Sequence, residues 1–319
     1  MKLVIPAIDI YEGKVVRLTK GDFSQQTVYS ENPLEFVKFF VSKGFKRIHI
    51  VDLNAAKTGE IKILGLLKEI KKEHPETIIQ FGGGVRSYNT ALELVNIGVD
   101  FVVIGTMFVK NPEEFRRVIK DFRQKVILSL DVNSETVVIQ GWQSQTNVSI
   151  KEGIERALKT GVLRIMITDT TRDGTLLGPD INFIKSLLDT VKSVYMSILI
   201  DEIINTETFR NTLNQGIDMI TRSINSFMDT LKSKYSGSYE LKQKIEEYDK
   251  SLSEYKESLK DSIPWGVLLK KYPKPLVIVS GGISSDVDIE EIMEIDNGFL
   301  EGIVVGKSIY EGRISSFNR

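Results

Sequence analysis

Short apolar runs recur along the chain, and each ends on an aspartate, a serine or a glycine. In the first half they are Leu3–Asp9, Arg47–Asp52, Thr77–Phe81 leading into Gly82, Gly83 and Gly84, and Phe101–Gly105. In the second half they are Val126–Asp131, Arg164–Asp169, Leu276–Ser280 leading into Gly281 and Gly282, and Gly302–Gly306. Continuous apolar runs of this length predict strands buried on both faces, as in a parallel sheet. Segments with helical spacing separate them: Pro33–Lys43, Leu64–Lys72, Tyr88–Ile97, Pro112–Phe122, Ser149–Lys159 and Ile181–Val191. Asn111-Pro112 and Asp180-Ile181 read as helix starts, and Gly44, Gly98 and Gly161 as stops.

The strand ends follow one order twice: Asp, Asp, Gly-Gly, Gly. Asp9 and Asp131 lie 122 positions apart and Asp52 and Asp169 lie 117 apart, but Gly84 and Gly282 are separated by 198 and Gly105 and Gly306 by 201. The duplicated chain therefore carries an insertion of roughly 80 residues between Asp169 and Ser280. Strand–helix units in two matched halves predict an α/β protein, a (β/α)8 TIM barrel built from two half-barrel repeats. An open doubly wound sheet would not require the halves to match. The barrel is assigned to 1–194 and 273–319, with a mostly helical insertion, 195–272, between helix six and strand seven.

Within the insertion, Phe209, Leu213, Ile217, Ile220, Ile224, Met228 and Leu231 fall at helical spacing, as do Leu241, Ile245, Tyr248, Leu252, Tyr255 and Leu259. Ser236-Gly237-Ser238 lies between them, so a helical hairpin is expected. A competing parse places strand seven at Ser197–Asp201 and treats Gly216–Ile224 as a decayed echo of Gly302–Ile309. An insertion at this point leaves the barrel at its lower end, so it is expected to be structural or an interface and not catalytic.

Composition narrows the chemistry. The 319 residues have a formal charge of -1 and contain no cysteine, which leaves no basic field for nucleic acid and no thiolate chemistry. No apolar run suits a membrane span, and the amino-terminal stretch has no signal-peptide pattern, so a cytoplasmic enzyme is expected. With only two histidines, His49 and His74, a histidine triad or multi-histidine metal site is not expected; His49, inside strand two, reads best as a packed side chain. Acid–base work falls to carboxylates.

In such a barrel the chemistry lies at the carboxyl ends of the strands. Asp9, Asp52, Asp131 and Asp169 all fall there. One such aspartate is readily explained as a loop cap, but four on one rim predict that at least two belong to an active site. The glycines invite phosphate: Gly83 and Gly84 with Gly105 and Thr106 form one candidate cradle, Gly281 and Gly282 with Gly306 and Lys307 a second. The plainer alternative, tight turns alone, does not account for two matched pairs. The implied ligand is long, with a phosphate at each end. Asp173, in the loop after strand six, either holds the Asp173-Gly174 turn or reaches over the mouth. Trp142 after strand five either stacks on a flat ring or packs its own loop.

These stretches together resemble the histidine-biosynthesis isomerase family that acts on phosphoribosylformimino-aminoimidazole carboxamide ribotide. The resemblance rests on IPAIDIYEGKVVRL (5–18), TVY (27–29), HIVDL (49–53), FGGGVRS (81–87), VIGT (103–106), GW (141–142), TDTTRDGTLLGP (168–179), SGGISS (280–285) and VVGKSIYEGR (304–313). The sister cyclase family differs at Ala7-Ile8-Asp9 and at Arg17. The resemblance implies an Amadori rearrangement of an aminoaldose to an aminoketose without cofactor or metal. By the family pattern Asp9 is the base and either Asp131 or Asp173 the acid; Thr168 supports the site, while Arg17 and Arg86 contact ligand phosphate or carboxamide. The expected partner is a small bis-phosphorylated substrate, with no nucleic acid or membrane, and the chain a monomer whose insertion is a candidate interface. A dual-substrate isomerase that also acts on phosphoribosyl anthranilate, and a non-catalytic phosphosugar-binding barrel, are the rival readings. Three departures stand out: Asn54-Ala55-Ala56 where the family often has Asp-Gly-Ala, Phe101 where it often has Arg, and Lys20 where Gln is usual.

Overall fold

The computed structural model describes residues 3–19, 22–133, 136–139, 144–232 and 238–315. Eight parallel strands form the ring, in chain order Leu3–Tyr11, Arg47–Asp52, Ile78–Gly82, Phe101–Ile104, Val126–Val132, Arg164–Asp169, Leu276–Ser280 and Leu300–Val305. Strand one pairs with both strand two and strand eight, and strand six with both five and seven, so the sheet closes on itself. This is the expected (β/α)8 barrel, and strands begin and end within a few residues of the apolar runs.

Alternation of side chains along a strand sends every second residue inward. Ile5, Ala7, Val103, Ile127, Met166, Ile278 and Val304 accordingly make one buried interior cluster. Burial of each such aliphatic side chain contributes about 1.5–3 kcal/mol, and it also sets register, because a one-residue slip would turn the set outward. Two residues further up the same strands come Asp9, Gly105, Thr168 and Ser280, and Asp131 follows Ile127 by two such steps. The interior faces thus carry these groups to the mouth.

The lower end of the barrel is closed differently. The guanidinium groups of Arg47 and Arg164 lie over the Phe101 ring, 4.4 and 4.7 Å from its centroid. Both arginines also donate to Glu301 Oε1, at 3.1 and 3.0 Å. Phe101, a departure in sequence, here packs its ring against two cations that share one carboxylate.

Helix boundaries follow the caps. Asn111 and Asp180 accept from the backbone N–H groups of Glu114 and Phe183, and Gly98 and Gly161 end their helices in left-handed conformation. Helix six, Ile181–Asn205, runs well past the expected end at Val191. Two antiparallel hairpins that the sequence reading did not anticipate follow strands one and five: Lys14–Thr19 with Asp22–Ser30, and Thr136–Ile139 with Ser144–Ser149. They hold matching registers, Asp9 opposite Val16 and Asp131 opposite Val138. The duplication therefore extends to these hairpins.

The chain divides into two compact units, Met1–Tyr195 with Lys274–Arg319, and Met196–Pro273. The second unit contains the end of helix six and the helices Glu207–Lys232, Ser238–Asp261 and Trp265–Lys271. Ser197–Asp201 is helical, as is Gly216–Ile224, so the competing parse fails; Leu276–Ser280 holds the strand-seven place, paired on both sides. Gly216 is required by packing, since a Cβ there would lie 2.0 Å from the Tyr255 ring. Among the described residues no helix is long and apolar enough to cross a membrane.

Candidate active site

The two glycine turns are built alike. Gly83 and Gly84 have φ of 104° and 75°, Gly281 and Gly282 of 103° and 81°. A Cβ on Gly83 would lie 2.3 Å from the Asp52 carbonyl oxygen, and one on Gly281 would lie 2.5 Å from that of Asp169. Only glycine tolerates both the backbone conformation and the close approach. Each turn then starts a helix capped by a serine, Ser87 or Ser285. One unit further on, Gly105 and Gly306 precede the short helices that begin at Thr106 and Lys307. The two glycine turns thus share one backbone geometry.

The same comparison sorts the four rim aspartates. Asp52 accepts from the N–H groups of Ala55 and Lys62, at 2.9 and 3.3 Å. Asp169 accepts from the Thr171 N–H and hydroxyl, at 2.9 and 2.6 Å. These two hold loops. Asp9 and Asp131 stand instead on inward faces, and Ser129 Oγ donates to Asp131 Oδ1 at 3.3 Å. Thr168 is buried beside Asp131, with which it is in register.

Arg17 sets the centre of the site. The first hairpin carries it over the mouth, where Nη1 donates to Asp9 Oδ2 at 2.7 Å and Nη2 to Asp173 Oδ1 at 2.8 Å. All three side chains are only 12–13% exposed. Burial raises the pKa of Asp9 above its ordinary value; Arg17 works against this, and Asp173 adds to it. Burial disfavours the charged guanidinium, but Asp173 and Asp9 outweigh it and hold Arg17 firmly cationic. Asp173 therefore does reach over the mouth, where the sequence left that open. A Cβ on Gly306 would fall 2.6 Å from the Arg17 guanidinium carbon. Arg17 consequently borders the second cradle, in a pocket it shares with Asp173, Gly281, Gly282, Gly306 and Lys307.

Other candidate residues lie away from the Asp9–Arg17–Asp173 group or outside the described residues. Arg86 donates to the carbonyls of Ala56, Lys57 and Thr58, at 2.9, 3.1 and 3.5 Å. It ties down the carboxyl-terminal end of helix Leu53–Thr58, where a cation is favoured. Trp142 and Lys20 lie outside the described residues. His49 is buried, and its pKa is pushed down to about 3 by burial and by the Arg47 and Arg17 charges, as a packed neutral imidazole requires. Among the described residues no acidic or histidine cluster could hold a metal ion. Asn54 exchanges hydrogen bonds with Glu12, accepting from its N–H at 2.8 Å and donating to its carboxylate. It steadies a turn in which Glu12 has φ of 49°. Tyr310, which sequence reasoning passed over, donates its hydroxyl to the Ala7 carbonyl in strand one.

Comparison with known proteins gives this geometry its place. The family model described as histidine biosynthesis protein matches residues 3–198. A relative from Aquifex aeolicus is 34% identical over 314 residues, 98% of this chain and 95% of its own. One from Sulfurihydrogenibium sp. is 38% identical over 191 residues, 60% of this chain and 80% of its own. One from Thermoanaerobacter pseudethanolicus is 32% identical over 247 residues, 76% of this chain and 98% of its own. All three are named 1-(5-phosphoribosyl)-5-((5-phosphoribosylamino)methylideneamino)imidazole-4-carboxamide isomerase. With a closed barrel, two matched glycine turns and this coverage, the chain belongs to the histidine biosynthesis protein family.

Proposed function

We propose that this chain catalyses the isomerisation for which its relatives are named, an aldose–ketose rearrangement within one bis-phosphorylated substrate. The observation that carries the reading is the arrangement of Asp9 and Asp173 on either side of Arg17, at a mouth flanked by two matched glycine turns. A substrate with a phosphate at each end places its reacting ribose between those turns. The rearrangement needs a proton on the ring oxygen and the removal of another from C2.

Asp173 donates to the ring oxygen, and the C1–O bond breaks as the attached nitrogen forms C1=N. Asp9 then takes the C2 proton, and the electron pair of that bond moves to C1–C2 to give an enolamine. Loss of the C2 hydroxyl proton and protonation at C1 complete the aminoketose. Burial supports Asp9 as base, because a carboxylate with a raised pKa binds a proton more strongly. Arg17 keeps the base ionised in the resting site. Asp131 and Thr168, in register on strands five and six, orient the sugar from the opposite wall.

The test is turnover of the purified substrate, followed by absorbance, for the unmutated chain and for Asp173→Asn and Asp131→Asn. Loss of an acid lowers kcat by about 10²–10⁴, so Asp173→Asn is expected to fall by that factor and Asp131→Asn by less. The reverse order would move the acid to Asp131. No turnover by the unmutated chain would refute the function.

A further inference from the structure

Strand eight supports strand one only over part of its length. The register pairs Leu3 to Pro6 with Gly302 to Val305 and stops there. Proline has no N–H with which to continue the ladder, and after Gly306 the chain turns into helix Lys307–Tyr310. Ala7 is the first residue beyond that pairing, and Asp9 lies two further on. The Tyr310 hydroxyl bonds to the Ala7 carbonyl. Strand one thus receives a side-chain bond where strand eight has left it.

The same tyrosine holds the hairpin. Its ring centroid is 4.9 Å from Tyr29, 5.2 Å from Phe36 and 6.1 Å from Phe40. Tyr29 belongs to Asp22–Ser30, the hairpin strand paired with Lys14–Thr19 through Val16–Val28 and Arg17–Thr27. One side chain therefore touches both the backbone that carries Asp9 and the arm that carries Arg17. Burial, together with the Asp9 charge, pushes its phenol well above the ordinary value, so the hydroxyl remains a donor throughout the working pH range.

We propose that Tyr310 is a positioning residue for the reaction: its hydroxyl fixes strand one beneath Asp9 and so keeps the Asp9 carboxylate in line with Arg17, while its ring packs on the hairpin. This rests on the reading of Asp9 as the base. Among the described residues, Arg17 from the hairpin, Asp173 from the loop after strand six and Tyr310 are the charged or titratable groups that act on Asp9 or are acted on by it. If the hydroxyl is lost, Asp9 drifts from Arg17, the attraction that favours its ionised form weakens, and its pKa rises.

The experiment compares the unmutated chain with Tyr310→Phe, which keeps the ring, with Phe36→Leu, which loosens the ring cluster and keeps the hydroxyl, and with Asp9→Asn. Tyr310→Phe is expected to lose up to about 10²-fold in kcat, the scale of a misplaced reacting group, with KM changed by less than about twofold. The acid limb of its kcat/KM profile moves to higher pH. Phe36→Leu is expected to lower Tm while leaving the acid limb in place. If the unmutated chain turns over and Asp9→Asn does not, but Tyr310→Phe keeps its kcat and acid limb, the role of Tyr310 alone falls. The same holds if Phe36→Leu reproduces the kcat loss and limb shift, or if Tyr310→Phe fails to fold, since the hydroxyl would then hold the barrel and not the base. No turnover in the unmutated chain, or full turnover in Asp9→Asn, overturns the base reading and this proposal together.

Discussion

Gly83 and Gly281 lie 198 positions apart, yet each presses against the carbonyl of a strand-end aspartate with nearly the same φ. An alanine at either site meets a backbone oxygen and adopts a strained conformation, costing about 1–3 kcal/mol. Gly13 also has positive φ, but nothing lies within 4 Å of its Cβ position. Gly83→Ala and Gly281→Ala should therefore each lower the urea midpoint clearly more than Gly13→Ala does. Equal losses at all three would mean that the close approach contributes nothing. At His49 the expectation concerns protons. Its folded pKa is pushed down to about 3 from the ordinary 6.5, so below about pH 6.5 the unfolded chain takes up a proton that the folded chain refuses. This contribution to stability is complete above that pH and is lost progressively as pH falls towards 3. Nitrogen-resolved NMR should find the His49 imidazole neutral at pH 5; a midpoint near 6.5 would contradict its burial. Asp9 and Asp131 were legible in sequence as strand-end aspartates, together with Asp52 and Asp169, and Thr168 only through the family resemblance. The bridge from Arg17 to Asp173 was not, because it joins positions 156 apart through a hairpin no local pattern specified.

Elements were legible in proportion to their punctuation. Helices ending at Gly98 and Gly161 stop where the sequence says, since glycine in the left-handed region closes the last turn. Helix six had no such mark: Ile181–Asn205 contains neither glycine nor proline, so nothing halts it at Val191. The apolar run Ser197–Asp201 looks like a strand only when isolated from that continuing helix. Where the chain leaves and re-enters the first unit, Tyr195 packs edge-on against Phe299 at 5.9 Å and Lys274 Nζ lies 4.8 Å above the same ring. Both ends therefore meet one anchor in the loop before strand eight. Replacement of 196–273 by a short Gly/Ser linker is expected to leave kcat within about threefold of the full chain, because loop closure over a short span costs little. Loss of turnover in a folded, monomeric deletion would assign the insertion a part in catalysis.

At the scale of the molecule, the duplication is the organising fact. It was legible because matched strand ends survive where most other residues have diverged, and the structure extends it to hairpins, caps and glycine geometry. The halves differ where chemistry requires difference. The first supplies Asp9 and Arg17, the second Asp131 and the loop that brings Asp173; in the proposed reaction, base and acid come from opposite halves. Burial lifts the Asp9 pKa above that of an ordinary aspartate, and activity should fall as pH drops through that value, with the acid limb of kcat/KM above about pH 4. A limb below that point would mean that Arg17 outweighs burial. The central claim is that Asp9 removes the C2 proton, and Asp9→Asn tests it most directly, with kcat and substrate binding measured on the same preparation. A loss of about 10²–10⁴ in kcat with binding retained is predicted; turnover close to that of the unmutated chain would contradict the account.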